Sequence, residues 1–175
     1  RKAYLTQSWQ LYAEAAMPAL ERLYTMAPSF RAEKSRTRRH LTEFWHAEME
    51  VAWASNEDVM NHGEGVVRHI ARNLLEEMSE ELENLGRDLD LVSSYADNSY
   101  PRMRYDEALE TLQSKGVEIE WGQDLDYSKE KTLTADFELP HFLTHYPRVA
   151  KPFYHRPDPE DANYVLCHDL LAPEG

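Results

Sequence analysis

A short stretch of the sequence gathers side chains that could bind a polyanion. Five of the 19 Lys and Arg residues of this 175-residue chain lie between Arg31 and Arg39, although the chain carries a formal net charge of −13. A local concentration of cations on an acidic protein favours a ligand with several negative charges, most simply a nucleoside triphosphate. Apolar-rich segments flank this stretch over residues 23–30 and 44–53. The pattern predicts two strands joined by a mobile basic loop.

The order of residues in this stretch resembles a motif of a known enzyme family. Residues 30–44 read FRAExSxTxRHxxEF, which is similar to motif 2 of the class II aminoacyl-tRNA synthetases, in the form of the aspartyl and asparaginyl branch. Amino-acid activation needs fixed cations, because a carboxylate approaches the α-phosphorus of ATP against charge repulsion. The resemblance implies that Arg31 is the catalytic residue, in contact with the α-phosphate and the incoming carboxylate.

The same resemblance assigns neighbouring side chains to ATP and to tRNA. Glu33 is expected near the adenine amino group, His40 near the γ-phosphate and Phe44 stacked on the adenine ring. The expected ATP-binding residues are Arg31, Glu33, Arg39, His40 and Phe44. Arg36 and Arg38, on the basic loop, are expected to contact the tRNA acceptor end. Taken singly, Phe44 could be a core aromatic residue and the arginines a solvated hairpin tip, but the ordered run as a whole favours binding.

A second segment, near the N-terminus, could hold the amino acid. Residues 6–12 read TQSWQLY, which resembles the QSxQLY/F segment that binds the substrate amino acid in the aspartyl and asparaginyl enzymes. By this match, Ser8 and Gln10 are expected to offer neutral polar groups to the α-ammonium. Ser8 could also cap a helix that starts here, and the two roles are compatible.

Two positions bear on which amino acid is chosen. Enzymes of the aspartyl branch typically have a lysine at the position of Ala13, and an alanine cannot pair with the substrate β-carboxylate. Glu48 alternates in phase with Phe44 along the predicted strand and is expected on the same face. A carboxylate there can accept a hydrogen bond from a side-chain amide and repels a second carboxylate. Both positions favour asparagine over aspartate, and Glu50 is interpreted as a supporting or core-edge carboxylate.

A third segment could bind a metal ion. Residues 168–175 read HDLLAPEG and resemble the DLLxPG segment of the asparaginyl enzymes, with Glu174 as an additional residue before the glycine. The resemblance implies that Asp169 helps to bind Mg²⁺ at the phosphates, and Mg²⁺ prefers oxygen ligands. Taken alone, Asp169 reads as a surface carboxylate at a strand end. Lys151 and Tyr154 lie in a segment that resembles the YPxxxKxFY strands of the family and are expected to line the amino-acid pocket.

These segments need a scaffold that brings them together. Apolar periodicity and capping residues predict helices over residues 8–20, 56–86 and 105–115. Short alternating or apolar runs predict strands over residues 23–30, 44–53, 117–121, 139–146, 151–155 and 164–172, with residues 88–101 as a connection. The long helix is expected to bury one apolar stripe, formed by Val59, Val66, Ile70, Leu74, Met78, Leu82 and Leu85.

The order of these elements indicates the α+β class, a mixed sheet with helices inserted between its strands. The resemblance specifies an antiparallel β-sheet flanked by helices, as in the catalytic domain of class II synthetases. Its pocket is expected to lie between Arg31, Phe44, Glu48 and Asp169. Arg31 and Phe44 are therefore expected to project to the same face from adjacent antiparallel strands.

The resemblance covers nearly all 175 residues, which are interpreted as a single, partial catalytic core with motif 2 at residues 29–50. Motif 1, motif 3 and the anticodon-binding domain are missing from it. The implied activity is the ATP-dependent activation of asparagine and its transfer to tRNA, by an enzyme that is a homodimer at full length. The alternatives are an aspartate-activating synthetase, a synthetase-derived asparagine synthetase and a non-catalytic nucleotide- or tRNA-binding paralogue.

The composition of the chain excludes several other classes. The single cysteine, Cys167, allows neither an internal disulfide nor a cysteine-based zinc cluster, and it is expected to be a small buried residue on a strand. No segment reaches the ~18 consecutive apolar residues of a membrane helix, and the N-terminus turns polar too early for a secretory signal. The acidic charge disfavours a protein that coats nucleic acid over its whole surface. The sequence therefore predicts a cytoplasmic enzyme.

Overall fold

The computed structural model describes residues 1–32 and 40–173, which divide into two compact units. Unit 1 comprises Arg1–Ser55 and unit 2 comprises Asn56–Gly175. Part of the predicted basic loop lies outside the described residues, and so does the end of the third segment; these residues include Glu33, Arg36, Arg38, Arg39 and Glu174. None of the helices in the described ranges has the length and apolar character needed to span a membrane.

The described residues of unit 1 form a pair of antiparallel strands and one helix. Helix α1 (Gln10–Leu20) is followed by β1 (Arg22–Phe30), which pairs antiparallel with β2 (Glu43–Val51). The two strands confirm the prediction for the segments that flank the basic stretch. The helix starts two residues later than predicted and has Trp9 as its N-cap, while the hydroxyl of the predicted cap, Ser8, accepts the backbone N–H of Gln10 at 3.0 Å. Exposed residues alternate with less exposed ones along both strands, so one face of the hairpin is covered and the other is open.

Unit 2 is built on a three-stranded mixed sheet. Its central strand, β4 (His141–Pro147), pairs parallel with β3 (Arg102–Arg104) and antiparallel with β5 (Tyr164–Leu171). Strand β4 is buried along most of its length, as expected for a strand covered on both faces. The positions of β4 and β5 confirm the sequence prediction, whereas the three-residue β3 is too short to produce a recognisable pattern.

The helices of unit 2 are, in chain order, α2 (Asn56–Glu77), α3 (Ser79–Asn84), α4 (Leu89–Asp97), α5 (Tyr105–Ser114) and α6 (Tyr127–Thr134). The prediction for α5 is confirmed to within one residue. The helix predicted over residues 56–86 is instead two helices, because Met78 has a φ of −136°, outside the helical range. Glu80 and Glu81 then lie in the first turn of α3, where negative charge suits the helix dipole.

Two helices were missed although each has a capping residue. Residues 88–101, predicted as a connection, contain α4, since the Asp88 carboxylate accepts the backbone N–H groups of Asp90 and Leu91. Helix α6 starts in the same way, with the Asp126 carboxylate accepting the N–H of Lys129 at 3.0 Å. Both cases show that an aspartate N-cap can begin a short helix without a long apolar period.

Two of the predicted strands are wrong. Residues 117–121 form no strand, and Val117 and Ile119 alternate because both pack against the core of unit 2. Residues 151–155 form a turn after the 3₁₀ helix Arg148–Ala150, with a hydrogen bond of 3.2 Å from the N–H of His155 to the carbonyl of Pro152. Alternation reports which side chains are buried, so it does not by itself require pairing with a second strand.

The buried face of α2 differs from the predicted apolar stripe. Val66 and Ile70 are 55% and 51% exposed, and Leu85 beyond α3 is 79% exposed. The buried residues of α2 are Met60, Glu64 and Ala71. The Glu64 carboxylate accepts a hydrogen bond from Arg102 at 2.7 Å, so its charge is paired where it is buried. A hydropathy pattern places every glutamate on the solvent side, so the buried face that it predicts for α2 differs from the observed one.

Replacing Leu112 with alanine is expected to lower the free energy of unfolding by about 2–5 kcal/mol, because its side chain is fully buried and leaves a cavity. Leu112 lies in the core of unit 2 between α5 and the sheet, with an exposed fraction of 0%. Urea unfolding followed by circular dichroism measures the change. Leu85→Ala is the control, since this exposed side chain is expected to matter by less than about 0.5 kcal/mol. Equal losses in the two variants would contradict the core assignment of Leu112.

Candidate active site

The two N-terminal segments with predicted chemistry lie against each other in unit 1. The backbone N–H of Phe30 donates to the carbonyl of Thr6 at 2.8 Å, and Nε of Arg31 donates to the carbonyl of Gln7 at 3.2 Å. One residue further along, the Ser8 hydroxyl donates to Glu48 on β2. The segment expected to bind the amino acid therefore runs beside the segment expected to bind ATP.

Arg31 and Phe44 face the same side of the hairpin, as predicted. Arg31 directly follows β1, and its backbone N–H donates to the carbonyl of Thr42 at 2.9 Å, which extends the pairing of the strands by one position. Its guanidinium carbon lies 5.5 Å from the centroid of the Phe44 ring. A cation at this distance is attracted to an aromatic face. The hairpin thus holds a cation suited to phosphate next to an aromatic ring suited to a purine.

Glu48 is held by three neighbouring groups. Its Oε1 accepts the Ser8 hydroxyl, and its Oε2 accepts the backbone N–H of Trp9 at 2.9 Å and lies 3.4 Å from Nδ1 of His46. The side chain of Glu48 is only 10% exposed. Burial by itself raises the pKa of Glu48, but the hydrogen bonds from Ser8 and Trp9 and the charges of His46 and Arg31 outweigh it and hold the pKa below its usual value. Glu48 is therefore ionised at neutral pH.

The number of acceptor positions on Glu48 limits what it can bind. An ionised carboxylate offers about four lone-pair positions, and three of them face Ser8, Trp9 and His46. The remaining position is on Oε1, whose partner among residues 1–32 and 40–173 is the Ser8 hydroxyl. Glu48 can therefore accept about one further hydrogen bond, which is what a side-chain amide N–H requires.

Glu50 lies on the same face of β2 but has a different environment. Burial raises the pKa of Glu50, and the negative charges of Glu14 and Glu48 raise it further. A carboxylate surrounded by like charges is a poor partner for an anionic substrate group. This environment agrees with the interpretation of Glu50 as a core-edge carboxylate.

Gln10 and Ala13 lie on the first turns of α1. The Gln10 amide donates to Oε1 of Glu14 at 2.9 Å, so its side chain lies along the helix. Ala13 is fully buried, with an exposed fraction of 0%. A longer side chain at this buried position would require its neighbours to shift. A small residue at position 13 therefore fits its buried place on α1.

In unit 2, the predicted residues Lys151 and Asp169 are in contact. Its Nζ lies 3.3 Å from Asp169 and 3.3 Å from Asp124, and 3.8 Å from the centroid of the Tyr146 ring. Burial by itself lowers the pKa of Lys151, but the charges of Asp169 and Asp124 outweigh it and raise the pKa above its usual value. Burial, with the nearby charge of Asp169, also raises the pKa of Tyr146. Lys151 is therefore a fixed cation beside Asp169.

The carboxylate of Asp169 fits a magnesium ion only as one ligand among several. Its side chain is 49% exposed and pairs with Lys151. In residues 1–32 and 40–173, no group of three or more His, Cys, Asp or Glu side chains is arranged to hold a metal ion. Since Mg²⁺ is often bound by one or two carboxylates together with substrate phosphates and water, one carboxylate is compatible with such a site.

The remaining predicted residues lie at the edges of these clusters. Tyr154 is 57% exposed, and its ring stacks on that of His155 at a centroid distance of 4.8 Å. His40 is exposed at the first described position after the basic loop. Cys167 lies on β5 and is half-buried, and burial raises the pKa of its thiol to about 11, so it is not a reactive nucleophile.

The structure brings the predicted residues together in two groups. Ser8, Arg31, Phe44 and Glu48 form one group in unit 1, and Lys151 and Asp169 form another in unit 2. Their union in a single pocket stays a prediction. Sequence reasoning missed His46, although its even position on β2, between Phe44 and Glu48, is the signal that places it on the same face.

Comparison with known proteins finds similar sequences along the whole chain. The family described as tRNA synthetases class II (D, K and N) matches residues 1–174. The asparagine–tRNA ligase of Thermococcus gammatolerans is 51% identical over 175 residues, which are 100% of this chain and 40% of that protein. The asparagine–tRNA ligase of Thermococcus kodakarensis is 50% identical over 175 residues, 100% of this chain and 41% of that protein. The chain thus spans about two fifths of the length of these curated relatives.

A solved structure shares the fold. The crystal structure of asparaginyl-tRNA synthetase from Pyrococcus horikoshii complexed with asparaginyl-adenylate matches with a TM-score of 0.94 and 49% sequence identity. The match covers 98% of this chain and 39% of that chain. The likeness confirms the predicted α+β fold of the class II synthetase type.

Proposed function

Because the chain belongs to the tRNA synthetases of class II (D, K and N), we propose that the protein containing it activates asparagine with ATP and transfers the asparaginyl group to tRNA. The observation that carries this proposal is the position of Glu48, an ionised carboxylate that the contacts of the described residues leave with one further acceptor position, on the same hairpin face as Arg31 and Phe44. The similarity to asparagine–tRNA ligases at about half identity supports the choice of amino acid.

In the first step, a carboxylate oxygen of asparagine attacks the α-phosphorus of ATP, and pyrophosphate leaves. Arg31 offsets the negative charge that the carboxylate and the α-phosphate bring together, and it does so from a fixed position, because Gln7 and Phe44 hold its guanidinium. Phe44 stacks on the adenine ring, with Glu33, Arg39 and His40 as the other proposed ATP contacts. No protein side chain needs to act as a covalent nucleophile; positioning and charge neutralisation provide the rate.

Selection of the amino acid is assigned to Glu48 and the segment before α1. The open acceptor position of Glu48 takes an N–H of the asparagine side-chain amide, whereas a β-carboxylate has no donor and is repelled. Ser8 and Gln10 are the proposed polar contacts of the α-ammonium, and Lys151 and Tyr154 are further proposed contacts. Ser8 then has two roles, since its hydroxyl also orients Glu48.

In the second step, a ribose hydroxyl at the tRNA acceptor end attacks the activated carbonyl carbon, and AMP leaves. Arg36 and Arg38 are the proposed tRNA contacts. When bound, Mg²⁺ supplies charge neutralisation at the phosphates, with Asp169 as one oxygen ligand. The homodimer, the cytoplasmic location and the description of residues 1–175 as one partial catalytic core also belong to this proposal.

The experiment that tests the proposal is pyrophosphate exchange by the full-length protein with asparagine and with aspartate on one preparation. We expect kcat/KM to favour asparagine by at least tenfold, roughly the effect of placing like charges together in a desolvated site. Preference for aspartate would identify an aspartate-activating enzyme. Exchange with neither amino acid would point to a non-catalytic nucleotide- or tRNA-binding protein. Free asparagine formed from aspartate and an amine donor would indicate an asparagine synthetase.

A further inference from the structure

His46 lies between the two side chains on which the proposed function depends most. Its ring centroid is 5.4 Å from that of Phe44, and the two ring planes are inclined at 56°. Its Nδ1 lies 3.4 Å from Oε2 of Glu48. The three residues occupy alternate positions of β2 and therefore share one face of the hairpin. A single imidazole ring thus contacts both the proposed adenine platform and the proposed amide acceptor.

Ser29 fixes the orientation of this ring from the neighbouring strand. Ser29 is 2% exposed, and its Oγ lies 3.1 Å from Nδ1 of His46. Its register partner on β2 is Phe44, so it reaches His46 along the diagonal of the hairpin. An ionised carboxylate can only accept hydrogen bonds, and a ring nitrogen that faces one is best placed as a donor. The charge of Glu48 therefore favours a proton on Nδ1 of His46, which lies 3.1 Å from Ser29 Oγ and 3.4 Å from Glu48 Oε2.

The groups that hold Glu48 come from two parts of unit 1. Ser8 and Trp9 belong to the segment before α1, which is about 40 positions away in sequence, whereas His46 lies on the same strand as Glu48. The position of His46 relative to Oε2 is therefore set by the backbone of β2. Among the described residues, Oε2 accepts the N–H of Trp9 and lies 3.4 Å from Nδ1 of His46, so the further acceptor position is assigned to Oε1. The direction in which Glu48 can receive an amide N–H thus depends on His46.

We propose that His46 is a positioning residue for amino-acid recognition: it orients Glu48 through Nδ1, packs against Phe44, and so keeps the amide acceptor and the adenine platform at a fixed separation. The identity of the amino acid in this inference rests on the proposed function. His46 acts through Glu48 and Phe44 and is assigned no contact with either substrate.

Steady-state pyrophosphate exchange by the full-length protein tests the inference. His46→Ala is expected to raise the KM for asparagine about tenfold, as loss of a close contact with a charged group predicts, while the KM for ATP changes less than about threefold. His46→Gln keeps a side-chain N–H donor and is expected to restore most of the loss. Ser29→Ala frees the ring and is expected to give an intermediate KM. Trp45→Phe, on the opposite face of the same strand, is the control and is expected to leave both KM values unchanged.

A merely structural role gives a different result. Equal increases of both KM values in His46→Ala, or a fall in kcat alone, would overturn the inference, and so would a His46→Gln variant as impaired as His46→Ala. A substrate-independent measurement is the ¹⁵N NMR spectrum of the histidine rings, in which wild-type His46 is expected to carry its proton on Nδ1 and Glu48→Gln to change that resonance. A proton on Nε2 alone overturns the inference whichever amino acid is activated. Preference for aspartate with an Nδ1 proton overturns the proposed function alone.

Discussion

Replacing Arg31 with alanine is expected to lower kcat/KM for asparagine-dependent pyrophosphate exchange by at least about 1,000-fold, the scale on which removal of a fixed charge from a phosphoryl-transfer site acts. The physical reason is the position of the Arg31 guanidinium. It lies beside the Phe44 ring, directly after β1, and donates a hydrogen bond to the carbonyl of Gln7. Alanine removes the charge at the point where two anionic groups must meet. Exchange of labelled pyrophosphate into ATP, with the full-length protein, measures the loss.

The control for this substitution is Arg22→Ala. Arg22 begins the same strand and is exposed, so its removal is expected to change the exchange rate by less than about twofold. Thermal unfolding of both variants checks that the fold is kept. If Arg31→Ala retains a tenth or more of the wild-type rate, Arg31 does not have the catalytic role proposed for it.

Replacing Glu48 with glutamine is expected to lower kcat/KM for asparagine by roughly 100- to 1,000-fold, more than the loss of one hydrogen bond to a charged group accounts for. Glutamine has a single acceptor oxygen, and its NH₂ group would meet the donors that now face the second carboxylate oxygen. Ser8 and Trp9 would then lose part of their anchor. The measurement is pyrophosphate exchange at varied asparagine and at varied aspartate, and the preference for asparagine is expected to shrink.

Glu43→Gln is the matched control for Glu48→Gln, because Glu43 begins the same strand, is exposed, and lies outside the cluster. The lowered pKa of Glu48 provides a second readout, independent of catalysis. A group whose pKa is depressed by folding stabilises the fold above its unfolded value of 4.5 and loses that contribution as the pH falls through the folded value. Unfolding measured below about pH 4.5 should therefore be less sensitive to acid in Glu48→Gln than in Glu43→Gln. An unchanged asparagine preference in Glu48→Gln would remove Glu48 from the recognition of the side chain.

Part of the site is determined by local sequence. The strands on either side of the basic stretch follow from their apolar content, and the shared face of Phe44 and Glu48 follows from the two-residue period of a β-strand. The same two-residue period also places His46 on that face. The ordered run from Phe30 to Phe44 identified the family, because many positions of fixed type occur together within a few residues.

Two kinds of error in the predicted elements have a clear physical cause. A hydropathy pattern assigns a carboxylate to the solvent side and therefore fails where a carboxylate is buried. Glu64 is buried in an ion pair with Arg102, 38 positions along the chain, so the buried face of α2 lies away from Val66 and Ile70. Short helices are nucleated by a capping side chain, so a single aspartate at position 88 or 126 decides between a helix and a connection.

The tertiary structure decided which groups meet. The family resemblance assigned Ser8 to the α-ammonium, and the strand period with the chemistry of a carboxylate assigned Glu48 to the amide, as separate contacts of one substrate. The fold shows that they are hydrogen-bonded to each other across 40 positions, with Trp9 and His46 completing the set around the carboxylate. Residue types and periods act within a few positions along the chain. The ionisation, orientation and remaining acceptor capacity of Glu48 depend on neighbours that only the folded chain brings within hydrogen-bonding distance.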